Sequence, residues 1–171
     1  MSKSVRCIAL SLIFFLPGMV GAEVRIAPAC RIKNRPPGRC GWCCLETLAR
    51  HHKVQVLYGV TEHHSSRCGI SSLETVLEAA NVSFRIQYPG KQDKAILRYA
   101  IGEGLGAVIG FRELYSGAGG HIVTLVDFTD EGVKVIDPND ADGRIRKMSM
   151  ERFLYWWDGF ALVLDVEPAA E

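Results

Sequence analysis

Neither sign of charge dominates this sequence. It has 20 Lys and Arg against 19 Asp and Glu, with 5 His, for a formal net charge of +1 over 171 residues. Binding nucleic acid needs a basic face, so this balance argues against DNA or RNA as the main partner. There is no internal repeat, no low-complexity tract and no long run of like charge. After residue 22 no apolar run approaches the roughly 20 residues needed to cross a bilayer, so stable membrane insertion of that part is not expected.

The chain opens on a targeting pattern. Residues 1–6 are short and basic, and residues 7–16 are apolar apart from Ser11. Pro17-Gly18 breaks the run, and Val20-Gly21-Ala22 supplies small residues ahead of a cut before Glu23. We expect residues 1–22 to be a signal peptide and residues 23–171 a single domain, exported to the periplasm or the extracellular space. No cysteine stands at the cut, so a lipidated N-terminus is not expected. Removing the segment takes away Lys3 and Arg6, leaving 18 basic and 19 acidic residues. It also takes Cys7, leaving five cysteines: Cys30, Cys40, Cys43, Cys44 and Cys68. An odd number in an oxidising compartment means that at least one thiol has no internal partner.

Residues 23–39 read as loop, with Asn34-Arg35-Pro36-Pro37-Gly38 holding the backbone extended. Residues 41–53 have Leu45, Leu48 and Ala49 at helical spacing. A polar connection over 61–69 leads to Ser71-Ser72-Leu73-Glu74, a capping-box pattern opening a helix to about residue 80. Residues 83–88 alternate like a strand, and 93–102 form a third helix. The second half is strand-rich, with strands predicted at 107–111, 121–128, 133–137, 144–148 and 160–166. Asp130-Glu131-Gly132 reads as a three-residue hairpin loop with glycine where positive φ is wanted. Ser149 caps a short helix to about residue 157, in which the adjacent Trp156 and Trp157 cannot both face the core. Helices first and an antiparallel sheet second make an α+β plan.

The most informative segment is Gly38-Arg39-Cys40-Gly41-Trp42-Cys43-Cys44-Leu45. Extended backbone runs straight into a helix, with Cys40 at the junction. The first N–H groups of a helix lack intrahelical partners, and its dipole puts partial positive charge there. That field favours a thiolate and makes Cys40 a usable nucleophile. Gly41 would let a substrate backbone approach, and Cys44, one turn on, would be buried. A cysteine nucleophile needs a base, and the base needs an orienting group. His121 opens a strand after the glycine-rich 117–120, and Asp137 ends the next one. Sixteen positions separate them, so a loop of odd length puts both on one face, still offset along the ladder.

Cys40-Gly41-x-x-Cys44-Leu45 resembles the nucleophile helix of papain-fold cysteine peptidases, above all the double-glycine peptidases that process bacteriocin leaders. Gly119-Gly120-His121-Ile122-Val123-Thr124-Leu125-Val126-Asp127 resembles that family's histidine strand. Val133-Lys134-Val135-Ile136-Asp137-Pro138 resembles the strand ending in its acid, and residues 148–164 resemble its closing helix and strand. The resemblance implies a papain-like α+β fold and acyl transfer through a thioester. Cys40 would be the nucleophile, His121 the base and acid, and Asp137 the orienter. It also implies the bend that brings His121 and Asp137 together. The family places a glutamine six residues before the cysteine as an oxyanion donor. Asn34 stands there in this sequence, offering the same amide one methylene shorter. The implied partner is a peptide or protein substrate, and no cofactor or metal is needed.

Other readings stay open at this point. Cys43 is a rival nucleophile, although Pro37 would then occupy the oxyanion-donor position. Asp127 and Asn139 are rival orienters. Cys40-Gly41-Trp42-Cys43 could be a redox pair, though two prolines spoil the strand such a pair needs before it. Cys40, Cys43, His64 and Cys68 have spacing compatible with zinc. Cys30 could pair with Cys68 or Cys43. A papain-fold module used only for binding is a further alternative.

Overall fold

Nine consecutive residues, Gly41 to Ala49, are buried in the first helix, α1 (Cys40–His51). A helix buried all round belongs inside a protein rather than on its surface. The computed structural model describes residues 22–35, 38–64, 68–112, 120–140 and 142–168. In it α1 lies against β3 (His121–Phe128), with the short α2 (Val60–His63) and α3 (Ile70–Ala79) packed beside it. The buried Glu46 of α1 is satisfied locally. Its carboxylate accepts from the Thr61 N–H at 3.0 Å and from the Arg50 guanidinium at 2.7 and 2.9 Å. Burial pushes its pKa up, but these donors outweigh burial and hold it below the usual carboxylate range.

The remaining elements are β1 (Phe84–Gln87), α4 (Ala95–Gly102), β2 (Ala107–Phe111), β4 (Gly132–Ile136), β5 (Ile145–Ser149), α5 (Met150–Trp156) and β6 (Trp157–Leu164). The strands form one six-stranded sheet in the order β1-β6-β2-β3-β4-β5, and every neighbouring pair is antiparallel. This is the α+β arrangement expected. β2 is buried along its whole length, as its apolar run predicts. One continuous apolar cluster extends from Val24 to Leu164. Trp157 is fully buried and stacked on Phe153 at 5.4 Å, while Trp156 is only partly covered. No helix among the described residues is long and apolar enough to cross a membrane.

Three local expectations are corrected. The capping box at Ser71 is not formed: α3 starts earlier, at Ile70, because that side chain packs against the core, and Gly69 is its N-cap. Ser149 does cap α5, accepting from the Arg152 N–H at 3.3 Å. Gly132 has no positive φ. It lies in β4, where the Met148 carbonyl of β5 occupies the space a Cβ would need, so it is required for close approach. The β3–β4 ladder also closes differently. Its last pair is Phe128 with Val133, enclosing residues 129–132, an even number where an odd one was expected.

His52, just beyond α1, is 8% exposed. Its Nε2 donates to the Leu105 carbonyl at 2.8 Å, while Nδ1 is buried without a partner among the described residues. Burial holds its pKa below the ordinary histidine value. The unfolded chain therefore takes up a proton near pH 6.5 that the folded chain resists, and this contribution to stability is lost as pH falls through that value. Urea denaturation should show wild type losing more stability than His52→Gln between pH 7.5 and 5.5. Equal losses would remove His52 as the cause.

Candidate active site

The site forms where the first turn of α1 meets the start of β3. The space beside Gly41 is tight: a Cβ there would lie 2.6 Å from the Cys68 Sγ and 3.1 Å from the Ile122 Cδ1. Gly41 thus admits Cys68 and β3, not a substrate backbone as the sequence suggested. One turn on, the buried Cys44 Sγ donates to the Ile122 carbonyl at 3.5 Å. These contacts set Cys40, the first residue of α1, against His121, the first residue of β3.

The acid reaches the same point through a defect in the sheet. Near the hairpin Asp127 pairs with Lys134, but further along Leu125 pairs with Val135 and Thr124 with Ile136, so Val126 is an extra residue in β3. Without the shift Asp137 would fall opposite Thr124 and on the other face from His121. With it Asp137 falls opposite Val123, two positions from His121 and on its face. His121 Nε2 donates to Asp137 Oδ1 at 2.8 Å. The sequence required such a bend without locating it. Asp137 Oδ1 also accepts from the Asn139 N–H at 2.9 Å, an Asx turn that aims the carboxylate. Asp127 pairs with Lys134 at 2.9 Å, away from this site.

Electrostatics separates Cys40 from its neighbours. Burial pushes its thiol up. The His121 ring, within hydrogen-bonding reach and Coulombically coupled to it, outweighs burial, helped by backbone hydrogen bonds at Ile122 and Gly41. The Cys40 pKa is therefore lowered. Burial opposes a charge on His121, but Asp137 first and Cys40 second raise it to about 9. Burial likewise pushes Asp137 up, but the bond and charge of His121, with the Asn139 N–H and the Arg146 charge, together bring its pKa below the ordinary value. The other thiols move the opposite way. Burial pushes Cys43 up to about 12 and raises Cys44 and Cys68 strongly. The rival nucleophile Cys43 is fully buried.

The other readings lose their geometry. All five described cysteines are free thiols. Cys30 lies beside Arg50 and His51 at the far end of α1. Cys68 packs on Gly41, about 13 Å of helix away. A disulfide needs Cα atoms within about 7 Å, so Cys30 and Cys68 cannot join. His64 stacks on Trp42 at 4.4 Å, and no three His, Cys, Asp or Glu among the described residues converge as metal ligands. Residues 31–35 form no strand ahead of the Cys40/Cys43 pair.

Asn34 is 8% exposed and held from three sides. Its N–H donates to the Pro138 carbonyl at 2.9 Å, its Oδ1 accepts from the Arg39 N–H at 2.9 Å, and its Nδ2 donates to Asn139 Oδ1 at 2.7 Å. Asn34 therefore ties the residue before Cys40 to the turn after Asp137. Pro36, Pro37, Gly117 and Gly119 lie outside the described residues.

Residues 32–169 match the Peptidase C39 family profile. Two solved structures share the fold. One is a double glycine motif protease from an AMS/PCAT transporter, in complex with the leader peptide. It is 13% identical, with a TM-score of 0.57 over 82% of this chain and 91% of that one. The other is the peptidase domain of Streptococcus ComA, a bifunctional ABC transporter involved in a quorum sensing pathway. It is 15% identical, with a TM-score of 0.60 over 80% of this chain and 97% of that one. No curated protein matches the sequence. With a free, acidified thiol on a papain-like fold and a family match over most of its length, the chain belongs to the peptidase C39 family and is a cysteine-type peptidase.

Proposed function

We propose that this protein, exported and freed of residues 1–22, hydrolyses a peptide or isopeptide bond through a triad of Cys40, His121 and Asp137. The observation that carries this reading is the His121 ring, bonded to Asp137 at 2.8 Å on one side and coupled to the Cys40 thiol on the other. The Cys40 thiolate attacks the carbonyl carbon, and the His121 imidazolium protonates the departing amine, leaving a thioester. Neutral His121 then takes a proton from water, which attacks the thioester and regenerates the thiolate. Asp137 holds the ring and favours its charged form. The Cys40 backbone N–H and the second amide hydrogen of Asn34 stabilise the oxyanion. A peptide substrate is supported by the related protease bound to a leader peptide. The export reading rests on the pattern in residues 1–22.

The chemistry makes two predictions. Iodoacetamide should alkylate Cys40 at neutral pH ahead of every other cysteine, as mapped by mass spectrometry. Label on Cys43 that persists in Cys40→Ala would reassign the nucleophile. Cleavage of fluorogenic peptide substrates should disappear in Cys40→Ala and His121→Ala and fall by up to about 10⁴-fold in Asp137→Asn.

The active pair is thiolate with imidazolium, so kcat/KM should rise as pH passes the lowered Cys40 pKa. It should fall again near 9, where His121 loses its proton. Asp137→Asn removes the strongest influence raising His121, so its alkaline limb should move to lower pH. An unmoved limb would detach Asp137 from the base.

A further inference from the structure

We propose that Asn139 is a positioning residue for both halves of this site, fixing the acid through its backbone and the oxyanion donor through its side chain. The inference rests on the triad and oxyanion reading above. Two hydrogen bonds carry it. The Asn139 N–H donates to Asp137 Oδ1 at 2.9 Å, and that oxygen also accepts from His121. The Asn139 Oδ1 accepts from Asn34 Nδ2 at 2.7 Å.

The second bond matters because a carboxamide is planar. The Arg39 N–H on Oδ1 settles which end of the Asn34 amide is oxygen and which is nitrogen. Asn139 Oδ1 then takes one of the two hydrogens on Nδ2. With one hydrogen committed and the plane held at both ends, the direction of the other is set. An oxyanion donor works only when it is aimed before the charge appears, so this restraint bears on rate more than on substrate binding. Asparagine is one methylene shorter than glutamine and has less freedom to find its direction alone. Asn139 is exposed, so its side chain contributes little to the core, and its loss should not unfold the chain.

The two bonds can be tested separately, because Asn139→Ala deletes the side-chain acceptor and keeps the backbone N–H on Asp137. Iodoacetamide reports the thiolate and its triad, since alkylation at a saturated carbon forms no oxyanion. Acylation by p-nitrophenyl acetate passes through a tetrahedral oxyanion and reports the donor as well. On full-length chain, Asn139→Ala should alkylate within about twofold of wild type with the same pH midpoint. It should acylate about tenfold more slowly, short of the 10²–10³ that removing a donor outright costs. Asn34→Ala should acylate more slowly still, and the double variant should match Asn34→Ala, since an aiming group has nothing left to aim. Asn139→Asp, which keeps an acceptor, should recover part of the acylation rate.

Three results would overturn the proposal. Acylation of Asn139→Ala equal to wild type would show that Asn34 needs no aiming. Alkylation and acylation falling together would show that the side chain acts on the triad or the fold. Independent, multiplying losses in the double variant would separate Asn139 from Asn34. If Cys40 of wild type reacts with neither reagent, the triad reading fails as well, and that result is distinct from all three.

Discussion

The site depends on one contact, the seating of the first turn of α1 on the first residues of β3. Gly41 is pressed between Ile122 and Cys68, and Cys44 donates to the Ile122 carbonyl. A larger residue at Gly41 would have to displace a thiol and a β3 side chain together, lifting the helix start from the strand. Because Cys40 and His121 are the first residues of their elements, this seating alone decides whether they meet. The burial of α1 from Gly41 to Ala49 anchors the helix along the rest of its length.

Placing four thiols together would be of little use if they behaved alike. Burial raises the pKa of all of them, and only Cys40 has a neighbour able to reverse the effect. That neighbour is a histidine which is itself held charged against burial by Asp137. Each group thus favours the ionised form of the next, with the Asp137 carboxyl and the Cys40 thiol lowered and the His121 imidazolium between them raised. Cys43, Cys44 and Cys68 lie close by without that partner and their pKa values are raised, so Cys40 is the one thiol of this group held below its ordinary value.

Much of this could be read from the residues. Periodicity located α1 and the buried β2, and Ser149 announced the start of α5. The Cys-Gly pair at a helix start, the Gly-His strand and the Asp-Pro strand end each carried a chemical reason for their place. What escaped the sequence depends on partners distant along the chain. The bulge at Val126 is set by how β3 fits between β2 and β4, and no residue type there signals it. Gly41 looked like room for substrate because nothing in the sequence shows that Cys68 returns to fill it. Gly132 looked like a turn residue because the approach of β5 cannot be seen locally. The Asp137-Pro138-Asn139 run did carry a signal, since aspartate often bonds the backbone N–H two residues on. The bond from Asn139 to Asn34 spans 105 positions and has no such signature.

The chemistry of the site depends on the charge state of His121, which the Asp137 bond and the Cys40 thiol jointly determine. Nitrogen-15 NMR of the histidine rings in the full-length chain, titrated from pH 5 to 10, reads that state directly. We expect His121 to carry protons on both ring nitrogens at pH 7 and to titrate near 9, with its Nε2–H donating to the Asp137 carboxylate. A His121 ring that is neutral at pH 7 and titrates near the ordinary histidine value of about 6.5 would contradict the account.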